Sequence, residues 1–239
     1  MSEKEKREAI ESLKRDGIYN LSIIGFINET PLEKIIRIGN SMLVKGKGGD
    51  KWIYLYGNDN NQFGELIKNI RDDDKYFGAL DDWMIPYITE NNETDWLVNA
   101  FQFHFPAEKE IPENKVETKR LTTSVSEYII SQSMYKDMLS VGYLNERIEK
   151  SVSAGIYNDG KLVAWALTHD DGSLGSMHVL EEYRRKGYAR EISISLIKQC
   201  RELGKIPFLQ CEAKNLAAQN LVKSIGYVQD RKVSWLKLK

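Results

Sequence analysis

Three cations and a glycine stand in a row at Arg184, Arg185, Lys186 and Gly187, between an apolar run (Leu174 to Leu180) and a helical pattern that opens at Tyr188. Ile192, Leu196, Cys200 and Leu203 recur every three to four residues, so one face of that helix is expected to be apolar. A strand, a turn and a helix in that order aim unpaired backbone N–H groups at whatever lies over the turn. The helix macrodipole adds about half a positive charge at the same point. The three basic side chains add full charges. Capture of a diphosphate is the chemistry this suits; a basic surface turn over a buried helix is the plain alternative. The spacing is neither G-x-x-x-x-G-K-S/T nor G-x-G-x-x-G, so the P-loop and the dinucleotide fingerprint are both excluded.

Arg184-x-x-Gly187-x-Ala189 resembles the acyl-CoA pyrophosphate loop of the GNAT N-acyltransferase superfamily, R/Q-x-x-G-x-G/A. Its flanks carry the likeness further. Residues 207–213 read as a short buried strand, and Asn215, Ala218, Leu221 and Gly226-Tyr227 follow at the spacing of a second GNAT signature. Upstream stand Trp165-x-Leu167 and the acidic glycine turn at Asp171 and Gly172. With Leu180-x-Glu182-Tyr183-Arg184-x-x-Gly187, they resemble the glycine N-acyltransferase-like branch in particular. The likeness covers residues from about 151 to 239 well and the N-terminal half only faintly.

This resemblance implies an α+β (α/β) fold: a mixed, mostly antiparallel sheet flanked by helices, with a smaller α+β N-terminal domain. It implies acetyl-CoA or another acyl-CoA as co-substrate. The central strand would break at a bulge, freeing backbone groups of Met177 and Val179 for the pantetheine amides. The diphosphate would rest in the loop of Arg184, on the N–H groups of Arg185, Lys186, Gly187, Tyr188 and Ala189. At Gly187 a Cβ would crowd the oxygens or forbid the turn. Asn215 would touch the pantetheine, although a helix N-cap explains it equally well. Acyl transfer to an amine needs a neutral nucleophile and a proton for the leaving thiolate. At both places the chain departs from the family pattern. The usual tyrosine of the second signature is Val222, and the usual carboxylate of the central strand falls at Ser173. Serine is a poor base at neutral pH but holds a water. His178, on the central strand beside the expected thioester, is the alternative base, with an ordinary pKa of about 6.5. The turn at His169, Asp170 and Asp171 needs no catalytic explanation. Tyr227 corresponds to a core aromatic.

Bulk properties narrow the classes. The 239 residues hold 34 Lys plus Arg against 35 Asp plus Glu, a net charge of −1, so no global basic field points to nucleic acid. Hydrophobic residues at 41% and charged residues at 29% are ordinary for a globular protein. Cys200 and Cys211 lie in apolar contexts, as buried free thiols in a reducing compartment do. No apolar run approaches the ~18 residues of a membrane span, and the charged start is unlike a signal peptide, so a cytoplasmic protein is expected. Three histidines and two cysteines show no metal-ligand spacing, so no metal is expected.

Along the chain, residues 3–15 read as a charged helix ended by Gly17. Residues 21–27 read as an apolar first strand, and Pro31 as the start of a short helix. Residues 41–44 and 52–56 flank a loose glycine turn and read as a hairpin. Residues 62–71 and 79–89 read as helices, 71–75 as a solvated loop and 96–105 as a strand. Trp52, Trp96, Trp165 and Trp235 are expected in the core. Residues 106–119, with two prolines and few apolar residues, are the expected boundary between a degenerate GNAT-like domain (1–112) and a catalytic one (113–239). Beyond it, helices at 124–131 and 144–151 flank a mobile linker. A hairpin turns at Asp159-Gly160. The central strand, its helix, a strand at 208–212, a helix at 215–225 ended by Gly226 and a last strand at 233–238 follow.

Three functions fit. The first is an N-acyltransferase acting on a small-molecule amine or amino acid. The second is a silent acyl-CoA-binding module, in keeping with the missing tyrosine and carboxylate. The third is an aminoacyl-transferring relative, disfavoured by the near-neutral charge. Oligomeric state is not specified by the sequence, and a homodimer is compatible with it.

Overall fold

The computed structural model describes residues 2–133, 136 and 139–239. The two halves of the chain run through the same order of elements. The first contains α1 (Glu3–Leu13), α2 (Leu21–Glu29), β1 (Leu32–Ile38), β2 (Ser41–Lys47), β3 (Lys51–Tyr56), α3 (Asn60–Ile67), β4 (Tyr76–Leu80), α4 (Ile85–Thr89) and β5 (Thr94–His104). The second contains α5 (Ser126–Gln132), α6 (Val141–Lys150), β6 (Ser153–Asn158), β7 (Lys161–Thr168), β8 (Leu174–Val179), α7 (Tyr188–Glu202), β9 (Phe208–Glu212), α8 (Leu216–Ile225) and β10 (Val228–Leu238). Residues 134, 135, 137 and 138 of the expected linker lie outside the described residues.

The chain divides into two compact units, and their membership is not a single cut. Unit 1 is Met1–Gln102 with Cys211–Lys214 and Asp230–Lys239; unit 2 is Phe103–Gln210 with Asn215–Gln229. The expected boundary at 112/113 would part β10 from β4, with which it pairs antiparallel at Ser234↔Leu80 and Lys237↔Tyr76. The polar stretch at 106–119 is tied down by side chains. Arg201 donates to the carbonyls of Pro106 and Lys109, and Glu191 holds residues 114–116.

In unit 1 the strands run in the order β1-β2-β3-β4-β10-β5. Alternation along β2 decides its two faces: Met42 and Val44 join a core with α1 and α2, while Leu43 joins one with α3 and α4. The run at 21–27 is therefore helix α2, not a strand. Ile23, Phe26 and Ile27 recur at helical spacing on that core, whereas a seven-residue apolar run does not declare its own period. Pro31 leads into β1 rather than a helix. The proposed helix at 79–89 divides: residues to Leu80 belong to β4, and Pro86 opens the short α4. The expected loop at 71–75 is only partly solvated, because buried Asp74 ion-pairs with buried Lys45. Trp52, Trp96 and Trp235 are half-buried.

In unit 2 the order is β9-β8-β7-β6. The β6–β7 hairpin turns at Asp159 (φ 50°) and Gly160 (φ 79°), both left-handed as a two-residue type I′ turn requires. Strand β7 is buried along almost its whole length, and α7 packs over β6, β7 and β8. Ile192, Leu196 and Cys200 face inward as their spacing indicates, but Leu203 lies past the helix end and is exposed.

Glu191 on α7 is a buried carboxylate with a purpose. It accepts from the backbone N–H of Lys115 (2.6 Å) and Val116 (3.3 Å) and from the Asn114 amide (3.3 Å). Burial pushes its carboxyl up, but these donors and the nearby Arg190 charge outweigh burial and hold it below the ordinary value. A depressed carboxyl lends stability above its unfolded pKa, which drains as pH falls through the folded one. Glu191→Gln is expected to cost about 1–3 kcal/mol at pH 7. In denaturant titrations that deficit should shrink as the pH falls below about 4.5.

Candidate functional site

Strand β8 is the frame of the site. It pairs antiparallel with β7 through Trp165↔His178 and Leu167↔Gly175, so three steps on β8 oppose two on β7. The extra residue makes a bulge, and Ser176 takes a left-handed φ of 49° to form it. Met177, next in line, is 39% exposed. On its other edge β8 meets β9 in parallel at one register pair, Leu174↔Leu209. Among the described residues, β8 and β9 share no register pair beyond that one.

The Leu180 N–H donates to the Val163 carbonyl at 3.0 Å. By antiparallel alternation the N–H and C=O of Val179 then point away from β7, into the gap. The Val179 carbonyl already accepts from Arg184 Nε at 3.3 Å, leaving its N–H for a ligand. Arg184 thus braces the strand edge as well as charging the loop.

The loop that follows gathers its backbone donors on one side. Arg185 (φ 64°) and Gly187 (φ 83°) both adopt the left-handed region, turning successive N–H groups toward one side. Gly187 is the N-cap of α7 and supplies no side-chain cap, and a Cβ built there would meet open space within 4 Å. The N–H groups of residues 185–189 donate to no acceptor among the described residues. Tyr183 and Tyr188 stack at 6.4 Å, with Lys186 Nζ 4.7 Å above the Tyr183 ring. Unsatisfied donors, open space and three cations are what a diphosphate needs.

Asn215 caps α8, its side chain accepting from the Ala218 N–H at 3.1 Å, so the helix role is realised. Val222, where a tyrosine would serve the thiolate, is buried. Tyr227 is a core aromatic, edge-on to Phe105 at 5.4 Å.

Ser173 is buried, and both its N–H (3.0 Å) and its hydroxyl (2.6 Å) donate to Asp171 Oδ1. Its hydroxyl is committed to fixing the turn. Asp171 itself is fully buried, and its Oδ2 has no partner among the described residues. Residue types alone gave no hint of this burial, since an acidic turn ordinarily faces solvent.

His178 is half-buried, its ring stacked 4.5 Å from that of Trp165 at an 18° interplanar angle. Trp165, buried as expected, also meets Tyr128 of α5 edge-on at 6.0 Å. Burial, with the Arg184 guanidinium adding to it, holds the His178 imidazole below its ordinary value. Both causes favour the neutral imidazole. Among the described residues no group of three His, Cys, Asp or Glu side chains forms a metal site, and no helix is long and apolar enough to cross a membrane.

Residues 153–236 match the family model of FR47-like proteins. Among solved structures, the chain superposes over its full length on 97% of a Drosophila protein, with a TM-score of 0.83 and 15% identity. It also superposes on the whole of a GCN5-related N-acetyltransferase-like protein from Streptococcus suis (TM-score 0.61, 15% identity). A tandem GNAT protein of the clavulanic acid pathway matches over 98% of this chain and 94% of its own (TM-score 0.55, 10% identity). No curated protein sequence matches. The fold is that of the GNAT acetyltransferases: a mixed sheet flanked by helices, as the motifs implied.

An NMR titration of the ring signals tests the state of His178. Its midpoint is expected below 6.5, moving up toward that value in Arg184→Ala.

Proposed function

We propose that this protein is an acyl-CoA-dependent N-acyltransferase, using acetyl-CoA first among acyl donors. It moves the acyl group to the amine of a small molecule or amino acid by direct attack within a ternary complex. The observation that carries the reading is the pairing of two features on one strand–turn–helix: an unpaired, bulged edge on β8 and an uncapped N–H cradle at the start of α7. The GNAT fold and the FR47-like match support it from outside the site. The likeness to the glycine N-acyltransferase-like branch rests on the sequence motifs. Buried Cys200 and Cys211, in no disulfide among the described residues, suit a reducing, cytoplasmic setting.

In this reading the loop from Arg184 to Ala189 holds the diphosphate, and backbone groups of Val179 and Met177 hold the pantetheine arm. Asn215 orders the start of α8 beside it. Bound acyl-CoA supplies the activated thioester. The protein excludes the wrong orientations and removes a proton from the acceptor nitrogen. Ser173 is spent on Asp171, which leaves an imidazole on the His178 face of the sheet for that task. A neutral imidazole is the form that accepts a proton.

The second reading, an acyl-CoA-binding module without turnover, is favoured by one observation: buried Val222 provides no donor for the thiolate. Binding is common to both readings, and turnover separates them.

Thermal unfolding with acetyl-CoA tests the common part. A ligand at 100 times its Kd adds about 2.7 kcal/mol of stability, an easily visible rise in Tm. The rise should weaken with dephospho-CoA and vanish in Gly187→Trp, which fills the cradle and strains a left-handed backbone. No rise at millimolar acetyl-CoA in the wild type would overturn the cofactor assignment and the residues that follow from it.

A further inference from the structure

The face of β7 and β8 that carries His178 carries a second imidazole. Residues two apart on a strand share a face, so Trp165 and Leu167 line up on β7, and His169, one residue past the strand's end, continues that side through its N–H to the Ser173 carbonyl. Their partners His178 and Gly175 lie on the same face of β8. Gly175 has no side chain, and the His169 ring takes the vacant place. A Cβ built on Gly175 would stand 2.0 Å from His169 Nε2 and 2.4 Å from its Cδ2. The backbone of His169 is locked on both sides. Its N–H donates to the Ser173 carbonyl at 2.9 Å, and its carbonyl accepts from the Gly172 N–H (3.0 Å) and buried Arg147 (3.4 Å). Asp171, clamped by Ser173, shapes the same turn. Unlike His178, the side chain remains exposed.

We propose that His169 is the proton acceptor for the incoming amine. The proposal rests on the acyltransferase reading above and deepens it. Along the register of β7, the seat of His169 at Gly175 lies one side-chain repeat, about 7 Å, from His178. His169 is exposed, and His178 is held by stacking on Trp165. In the step, the nitrogen lone pair forms the C–N bond to the thioester carbonyl carbon, and the C–S bond breaks. The nitrogen's proton passes to a ring nitrogen of His169 and on to solvent. The sulfur leaves as CoA thiolate and takes its proton from water. Gly175 is a glycine because any side chain there evicts the imidazole. Its backbone is outside the left-handed region, so the reason is space rather than conformation.

The test uses the full-length wild type, His169→Ala, Gly175→Ala, the double variant and His178→Ala. The acetyl-CoA-induced rise in Tm is measured first. Release of CoA thiol from acetyl-CoA is then followed with a panel of primary amines, and with water alone as acceptor. The expected result is an unchanged acetyl-CoA shift in His169→Ala and Gly175→Ala, with thiol release lowered roughly 10²-fold or more in each. The double variant should lose no more than either single one, and added imidazole should restore part of the turnover of His169→Ala. Full thiol release in His169→Ala overturns the assignment. So does a loss confined to His178→Ala, which returns the role to that residue. The failure of the underlying reading looks different: no shift with acetyl-CoA in the wild type, or a shift with no thiol release from any of the proteins.

Discussion

Parallel pairing between β8 and β9 stops at Leu174 and Leu209, and the rest of the site depends on that early end. Two strands that stayed in register would satisfy each other's N–H and C=O groups and leave nothing for a ligand. The bulge at Ser176 re-aims the backbone on the β7 side of the same strand, so β8 keeps its antiparallel partner while freeing its other edge. Burial of β7 and the packing of α7 over three strands hold that local irregularity in place.

The two halves of the chain show what this costs and where it has been avoided. Each has a helix following its third strand. In the first half α3 begins at Asp59, whose side chain accepts from the Gln62 N–H, a cap worth about 1 kcal/mol. In the second half α7 begins at Gly187 with no side-chain cap and two left-handed residues around a basic turn. A helix that forgoes its cap, beside a non-glycine residue at φ 64°, has given up stability that a bound anion would return. The same order of elements thus makes a closed helix start in one half and an open one in the other.

The polar interior of unit 2 follows a related logic. Arg147, Asp171 and Glu191 are all buried, and each is tied to a turn or connector. Glu191 gathers the backbone of residues 115 and 116. Asp171 gathers Ser173, and Arg147 reaches the His169 carbonyl. Buried charge used this way sets the path of the backbone, at a desolvation cost that apolar packing would not incur.

Local rules carried much of this in the residues themselves. The β6–β7 turn was legible in Asp159-Gly160, the helix α7 in its apolar spacing, and the turn before α7 in Gly187, because each depends on neighbours within a few positions. Residues 21–27 were not legible as a helix, since seven apolar residues fit a buried strand or a buried helix until the opposing surface is known. The place of β10 was also hidden, because strand pairing over such a separation leaves no local trace. The same holds within the site. The residue types at His169, Ser173, Gly175 and His178 are plain to read, but which of them share a face turns on one extra residue in β8. A bulge shifts side-chain parity by one, and only the paired strands decide where it falls.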